Sequence, residues 1–209
     1  MQYMSFVYTG IGSRETPQEY LDMFERMGVW LGLRGGILRS GGANGADSAF
    51  ERGADKVKAI HPDLGEKEIY LPWKGFNNNT SLLYNIDHNA MVIAQNIHPN
   101  WNKLSDAAKK LMARNTYQII GLNNTLTDFV VCYTKNGKYI GGTSQAIKLA
   151  DMYEIPIFNA GNYKNSKEAA KAFNIFYNEI IQEKNKLVDE NSVKQEDEYQ
   201  QLDLFTDYE

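Results

Sequence analysis

Short apolar runs alternate along most of the chain with segments in which apolar residues recur at helical spacing. The apolar runs are rich in β-branched and aromatic residues and end in glycines or polar turns, which is typical of buried strands. The segments between them place apolar residues three and four positions apart, which predicts amphipathic helices. The predicted strands are 5–12, 36–38, 68–73, 127–134 and 155–159, and the predicted helices are 17–34, 47–56, 87–97, 104–122 and 143–152.

Strands that alternate with helices predict an α/β fold. Right-handed crossovers bring each strand back beside an earlier one, so we expect a mainly parallel sheet with helices on both faces, a three-layer sandwich. Residues 1–184 form one such domain in this interpretation. The first helix is expected to begin at Pro17, with Thr16 as its N-cap.

Three glycine-bearing turns lie where a predicted strand passes into a predicted helix, at 10–12, 40–47 and 141–143. The carboxyl ends of parallel strands meet at one edge of a sheet, where ligands of this architecture bind. Glycine permits close approach to the main chain, and the N–H groups and dipole at a helix start attract an anion. A phosphate or nucleotide site is therefore predicted at this edge; the alternative is three structural turns. The predicted binding residues in these turns are Gly12, Ser13, Arg14, Ser40, Gly41, Gly42, Asn44, Gly45, Asp47, Gly141, Gly142 and Thr143.

Side chains in these turns each have a functional and a structural interpretation. The Arg14 guanidinium can clamp a phosphate through two hydrogen bonds, or it can remain a surface charge. The hydroxyls of Ser13 and Thr143 can donate to the same phosphate, or they can cap helices. Asp47 can hold a ribose hydroxyl, or it can complement the helix dipole.

The charge distribution argues against a duplex-DNA binding surface. The 209 residues include 22 Lys and Arg against 26 Asp and Glu, which gives a formal net charge of −4. Six of these acids lie from Gln195 onward without a base among them, so residues 1–194 hold 22 basic against 20 acidic residues. So small an excess is compatible with phosphate binding at one site but not with a broad basic surface.

The sequence does not support a membrane protein, a disulfide-bonded protein or a metal-binding protein. No apolar run reaches the roughly 18 residues of a membrane helix, so we expect a cytoplasmic protein without a membrane partner. The single cysteine, Cys132, lies in an apolar run, which predicts a buried structural thiol. The three histidines, His61, His88 and His98, have no metal-ligand spacing, so we predict neither a metal nor a cofactor. The sequence is compatible with a monomer or a homo-oligomer.

The order and spacing of the motifs resemble the Rossmann-like core of the DprA/Smf family of DNA-processing proteins. Residues 12–17 look like the family's G-[ST]-R-x-x-[TS] turn, and 40–54 resembles its S-G-x-A-x-G-x-D segment with the following G-A. Residues 114–115 look like its R-N pair, and 142–146 like its later G-T helix start. Small phage and bacterial DprA-like proteins have a similar layout. The resemblance implies single-stranded DNA as a partner, and it alone adds Arg114 to the predicted phosphate-binding residues.

The wider superfamily, called SLOG, includes the Lonely Guy (LOG) nucleotide hydrolases, which this chain resembles in the loop 41–45 but not in their catalytic carboxylate. Their P-G-G-x-G-T-x-x-E motif would place the glutamate at Ala146, and Gln145 beside it cannot act as a general acid. The catalytic residues therefore stay unknown, and hydrolysis would require another carboxylate. The candidates by predicted position are Glu15, Asp47 and Asp128.

From about Lys184 the chain loses its apolar periodicity and becomes polar and acidic, which predicts a disordered tail over 185–209. Within this tail, 201–205 resembles the QL[SD]LF peptide with which replication and repair proteins bind the bacterial sliding clamp. Its final leucine and phenylalanine would enter an apolar pocket while its glutamine fixes the register. The alternative is an apolar segment that packs back onto the body. The predicted clamp-binding residues are Gln201, Leu202, Asp203, Leu204 and Phe205.

The leading hypothesis from the sequence is a DprA-like protein that binds a nucleotide or a nucleic-acid phosphate, acts in DNA metabolism and is tethered to the sliding clamp by its tail. One alternative is a LOG-type hydrolase of a nucleoside phosphate or nucleotide signal. The other is a sensor or sponge that holds a nucleotide signal without turning it over.

Overall fold

The computed structural model describes residues 5–139 and 141–203, and the side chains of 5–139, 141–184 and 186. The chain divides into two compact units, Met1–Ala170 and Lys171–Glu209. This boundary falls inside the last helix.

Parallel strands form a five-stranded sheet in the first unit, in the order β3-β2-β1-β4-β5. The strands are β1 (Phe6–Gly12), β2 (Gly36–Ser40), β3 (Lys67–Ile69), β4 (Phe129–Tyr133) and β5 (Ile157–Asn159). β1 is central, with Phe6 opposite Gly36 of β2 and Tyr8 opposite Phe129 of β4. The chain builds outward from β1 to β3 on one side and then returns to add β4 and β5 on the other. The predicted α/β fold with a parallel sheet is confirmed.

Helices connect the strands and cover the sheet. The α-helices of the described residues are α1 (Gln18–Gly32), α2 (Ala46–Ile60), α3 (His88–Ile97), α4 (Asp106–Ile120), α5 (Thr143–Met152) and α6 (Ser166–Asp203). No helix in the described ranges is both long enough and apolar enough to cross a membrane.

The alternation of side chains along β1 separates the core into two layers. Tyr8 contacts the ring of Phe50 on α2, whereas Ile11 lies in an apolar cluster with Ile119 of α4 and Ala146 of α5. Residues an odd number of positions apart in a strand point to opposite faces. Helices α1 and α2 therefore cover one face, and α4 and α5 cover the other, which gives the predicted three layers.

The predicted start of α1 is wrong by one residue. Pro17, not Thr16, is the N-cap, and its carbonyl accepts the first helical hydrogen bond from the N–H of Leu21 at 3.1 Å. The Thr16 hydroxyl instead donates to the carbonyl of Ser13 at 2.7 Å. This hydroxyl stabilises the turn before the helix and is not available to cap it.

Two other elements differ in extent from their predictions. β3 ends at Ile69. The N–H of Tyr70 still donates to the carbonyl of Ser40 on β2 at 2.9 Å, whereas the N–H of Leu71 donates outside the sheet, to the carbonyl of Leu83 at 2.8 Å. The backbone of α6 is helical as far as Asp203, although the composition predicts a disordered tail from 185. Glu, Lys and Gln are good helix formers even where no apolar face exists, so polarity alone does not distinguish the two states.

Candidate functional site

A cavity of about 600 Å³ opens at the carboxyl ends of β1 and β4, where the strand order reverses direction. Crevices at this point of a parallel sheet are the usual ligand sites of α/β proteins. The walls come from the turns after β1, β2 and β4, the starts of α2 and α5, and one face of α4. The polar and charged side chains among the lining residues are Ser13, Arg14, Glu15, Asp47, Arg114, Asn115, Gln118, Thr134, Lys135, Lys138 and Thr143.

The carboxylate of Asp47 lies buried beneath this cavity and connects two of the glycine-bearing turns. It accepts hydrogen bonds from the N–H of Gly12 at 3.2 Å and from the N–H of Gly41 at 3.1 Å. One of its oxygens lies 3.6 Å from Nη1 of Arg114. Asp47 thus accepts from two backbone N–H groups that we predicted, from the sequence, to bind a phosphate.

The ionisation of Asp47 reflects competing effects. Burial raises the pKa of this carboxyl, whereas the Arg114 guanidinium and the N–H groups of Gly12, Ala43 and Gly41 act to lower it. These contacts stabilise the charged carboxylate, whereas burial alone favours the neutral acid.

Arg114 extends from α4 across the floor of the cavity and is only 5% exposed. Its guanidinium lies directly against the backbone of Gly41, where a Cβ atom would fall 1.3 Å from Nη1. Gly41 is therefore required by the arginine that packs over it. The Nε of Arg114 has no hydrogen-bond partner within the described residues, although it is buried. A buried donor of this kind is costly unless a further acceptor reaches it.

Two amide side chains on α4 support Arg114. With the Gln118 amide oriented so that its oxygen faces Arg114, that oxygen accepts from Nη1 at 2.6 Å and from the N–H of Gly41 at 3.0 Å. In the same orientation the Gln118 nitrogen donates to Oδ1 of Asn115 at 3.2 Å. Asn115 in turn donates to the carbonyl of Gly142 at 2.9 Å. This chain of contacts fixes the α5 turn relative to the turn at Gly41.

The cavity carries more positive than negative charge. Its ionisable lining consists of Arg14, Arg114, Lys135 and Lys138 against Glu15 and Asp47. Burial lowers the pKa of Arg114, the charge of Asp47 raises it, and the nearby charge of Arg14 lowers it further. The charges of the two arginines thus disfavour one another in the lining of one cavity, and an anion bound there would offset this effect.

The structure brings many of the predicted binding residues into the lining of one cavity. Those that line the cavity are Gly12, Ser13, Arg14, Asp47, Arg114, Gly141, Gly142 and Thr143. Those that lie outside its lining are Ser40, Gly41, Gly42, Asn44 and Gly45. Direct ligand contact by either group stays a prediction.

Two of the residues outside the lining, Ser40 and Gly45, have structural contacts. The Ser40 hydroxyl donates to the carbonyl of Gly10 at 2.6 Å within the sheet. Gly45 has a φ of 89°, and a Cβ atom there would fall 2.6 Å from the carbonyl oxygen of Ser13. The second turn therefore supports the first one, and its Ala43 lines the cavity together with the residues after β1.

The candidate catalytic carboxylates lie in different parts of the structure. Glu15 is exposed and lines the cavity. Asp128 precedes β4, and its carboxylate accepts the N–H of Val7 at 2.7 Å at the amino ends of the strands. The expectation that Asp128 lies near the site is therefore wrong, because it sits at the opposite edge of the sheet. Ala146 is fully buried in the apolar cluster between α4, α5 and β4.

Cys132 and the histidines supply no further chemistry at the cavity. Cys132 is buried in the same cluster, and burial raises the pKa of its thiol, so the predicted structural thiol is confirmed. The described residues contain no group of three or more His, Cys, Asp or Glu side chains that could hold a metal ion.

Sequence reasoning missed several of the side chains that form the cavity. Lys135 and Lys138 follow β4 at the same edge as the glycine turns, so their position after a predicted strand was a usable signal. Gln118 carried no such signal, because its role depends on which turn of α4 faces Gly41.

Comparisons with known proteins found few matches. No family model matches the chain, and no curated protein is significantly similar to it. Among solved structures, it is similar to DNA processing protein A from Helicobacter pylori, a protein described for its single-stranded DNA binding mode. The two share 18% sequence identity with a TM-score of 0.43, over 74% of this chain and 64% of that protein's chain.

Proposed function

We propose that this protein binds a phosphate-bearing ligand, a nucleotide or a nucleic-acid strand, in the cavity at the carboxyl edge of the sheet, and that it acts in DNA metabolism as a DprA-like protein. The observation that carries the proposal is the presence of two arginines in the lining of one cavity, exposed Arg14 and buried Arg114, together with the Nε of Arg114, which has no hydrogen-bond partner among the described residues. A phosphate placed there would accept from both arginines and would offset the repulsion of their charges.

Two further features of the cavity favour a phosphate. The start of α5 forms part of its wall and has no side-chain cap, so the positive end of the helix dipole faces the same space. Lys135 and Lys138 add charge on the rim. Single-stranded rather than duplex nucleic acid fits a concave site of this size, because the surrounding chain has only a small excess of basic residues.

An enzymatic alternative depends on Glu15, the exposed carboxylate that lines the cavity. Hydrolysis of a nucleoside phosphate would require this group to serve as the general acid or base, since the position corresponding to the LOG glutamate is the buried Ala146. Incubation with a panel of nucleotides, followed by mass spectrometry, distinguishes the alternatives. A released base indicates an enzyme, whereas a tightly bound and intact nucleotide signal indicates a sensor or sponge.

Replacement of Arg14 tests the phosphate site. Because Arg14 is exposed and contributes a charge-assisted hydrogen bond, Arg14→Ala should weaken binding of deoxyadenosine monophosphate about tenfold or more without lowering the thermal midpoint. Isothermal titration calorimetry and a thermal melt measure the two quantities.

The matched control for this variant is Arg26→Ala, which removes an exposed arginine from α1 outside the cavity. It should leave the affinity unchanged. An equal loss of affinity in both variants would mean that Arg14 acts only through net charge. An unchanged affinity in Arg14→Ala would show that Arg14 does not contact the ligand.

The tail peptide at 201–205 supports a second part of the proposal, tethering to the bacterial sliding clamp. Gln201 to Asp203 end the helix α6, and Leu204 and Phe205 lie outside the described residues. Deletion of 201–205 should abolish capture of the protein by immobilised clamp, since the apolar anchors of such peptides carry most of the affinity. Deletion of 206–209 is the control and should leave capture intact. Equal capture by both variants would exclude the tether.

A further inference from the structure

A second cavity of about 370 Å³ adjoins the first across the start of α5. The two share Met112, Gly141 and Gly142 in their linings, so these residues form the divider between them. The second cavity has a different chemistry, because the paired guanidiniums of the first are absent from its lining. Its other side chains come from the end of α3, the segment after β4 and one face of α5.

The divider carries little side-chain bulk. Gly141 and Gly142 are both exposed, and neither carries a side chain that could stand between the cavities. A Cβ atom at Gly141 would meet nothing within 4 Å, so open space lies beyond this backbone. Met112, which completes the divider, has a flexible side chain that can adjust to a neighbour.

One wall of the second cavity contains a buried acceptor without a partner. Gln145 is 3% exposed, and its amide nitrogen donates to the carbonyl of Met112 at 3.2 Å. That contact orients the side chain, while its Oε1 has no hydrogen-bond partner among the described residues. An unpaired buried acceptor calls for a donor from a ligand. Each nucleic-acid base offers such a donor as an amino or ring N–H group.

Three other side chains fit the rest of a nucleotide. Tyr139 is 44% exposed and presents a ring on which a base can stack. Lys148, one turn beyond Ser144 on α5, supplies a positive charge for a phosphate. Nδ1 of His98 accepts the N–H of Asn100 at 3.2 Å, so a neutral His98 carries its proton on Nε2 and has a donor to offer.

We propose that the second cavity holds the second nucleoside of a phosphate-bridged pair, so that the ligand of this protein is at least a dinucleotide that crosses the Gly141–Gly142 turn. The inference rests on the proposed function, because it takes the first cavity as the site of the first nucleotide. The required chemistry is two nucleosides joined through phosphate. A single-stranded oligonucleotide and a pyrophosphate-linked dinucleotide such as NAD both contain it.

Calorimetric titration with ligands of increasing length tests the inference. A 5′-phosphorylated deoxyadenosine dinucleotide should bind about tenfold tighter than deoxyadenosine monophosphate, because stacking and one buried hydrogen bond are added. A parallel titration with NAD identifies the linkage: a gain with the dinucleotide alone indicates a nucleic-acid strand, and a gain with NAD alone indicates a dinucleotide metabolite.

Variants confined to the second cavity provide the decisive comparison. Lys148→Ala and Tyr139→Ala should each remove most of the tenfold gain while leaving the affinity for the mononucleotide unchanged. Lys74→Ala, at an exposed lysine that lines neither cavity, is the control and should retain the gain. If the mononucleotide binds and neither longer ligand gains affinity, the second cavity has no such role while the proposed function stands. If the mononucleotide does not bind either, the proposed function fails as well.

Discussion

At the scale of single residues, the carboxylate of Asp47 occupies the position that an anion takes at many helix starts. Strand-to-helix turns attract phosphate because their N–H groups point outward unpaired. Here two of those groups, from Gly12 and Gly41, already donate to Asp47. The buried turn therefore has an internal anion, and the proposed ligand contacts shift outward to Arg14 and Arg114.

Removal of the Asp47 charge should destabilise the whole fold. Asp47→Asn leaves Arg114 buried without its ion-pair partner, and we expect the free energy of unfolding to fall by about 3 kcal/mol. Arg114→Met should cost a comparable amount, because the buried carboxyl of Asp47 then loses its ion-pair partner. Urea denaturation of the two single variants and the double variant measures the coupling between them.

The double variant should lose about 1 to 3 kcal/mol less than the sum of the two single losses. Strictly additive losses would show that the two side chains act independently. An exposed position such as Glu15→Gln serves as the control and should change the stability by no more than about 0.5 kcal/mol.

A residue's position in a motif was enough to predict on which edge of the sheet it lies, whereas ligand binding by these residues stays a prediction. Ser13, Arg14 and Thr143 are predicted from their turns alone and do line the cavity. The partners of Asp47 could not be predicted, because Gly12 lies far from it in sequence and meets it only after β1 and β2 pair. Long-range placement of this kind has no local signature.

At the scale of elements, α1 and α2 approach so closely that two glycines are required at their contact. A Cβ atom at Gly53 would fall 2.4 Å from the carbonyl oxygen of Glu25, and one at Gly28 would fall 2.7 Å from the carbonyl oxygen of Phe50. Both distances are shorter than real contacts allow. The backbones of the two helices therefore touch directly, and this contact holds the turn before α2 against the sheet.

Gly53→Ala should consequently destabilise the protein even though alanine is the better helix former. The propensity gain of about 1 kcal/mol is smaller than the cost of separating the helices, so we expect a net loss of about 1 to 2 kcal/mol. Thermal and urea denaturation measure it. Ile60→Ala, at an exposed position in the same helix, is the control. A stabilised Gly53→Ala variant would show that the helices can move apart freely.

Periodicity predicted the existence and order of these elements but not their contacts. The strands and helices of the first unit follow the predicted alternation because each buries one apolar face or run. The closeness of α1 to α2 was not predicted, since glycine within a helical pattern carries no information about which backbone it faces. The helical backbone of α6 was not predicted either, because a polar composition is common to helices and disordered tails.

At the scale of the whole molecule, the acidic tail reverses the sign of the net charge. The chain carries −4 in total, while residues 1–194 have 22 basic against 20 acidic residues. Long-range attraction or repulsion of a charged ligand follows the total charge at low salt and is screened at physiological salt. The tail should therefore slow the capture of any anionic strand.

Deletion of 195–209 should raise the association rate with a fluorescent single-stranded oligonucleotide severalfold at roughly 20 mM salt, and the difference should largely vanish at roughly 150 mM. Stopped-flow fluorescence measures the rate. A full-length variant in which the six tail acids are replaced by their amides is the matched control for length, and it should behave like the deletion. A rate increase that persists unchanged at the higher salt concentration would indicate a steric role instead.

The buried contacts of Asp47 with the two turns also bear on how fast a ligand can be taken up. Because the carboxylate orders both turns from within, the cavity does not have to assemble around its ligand, and little conformational entropy is lost on binding. For the proposed ligand we therefore expect encounter, rather than a folding step, to limit the rate of uptake.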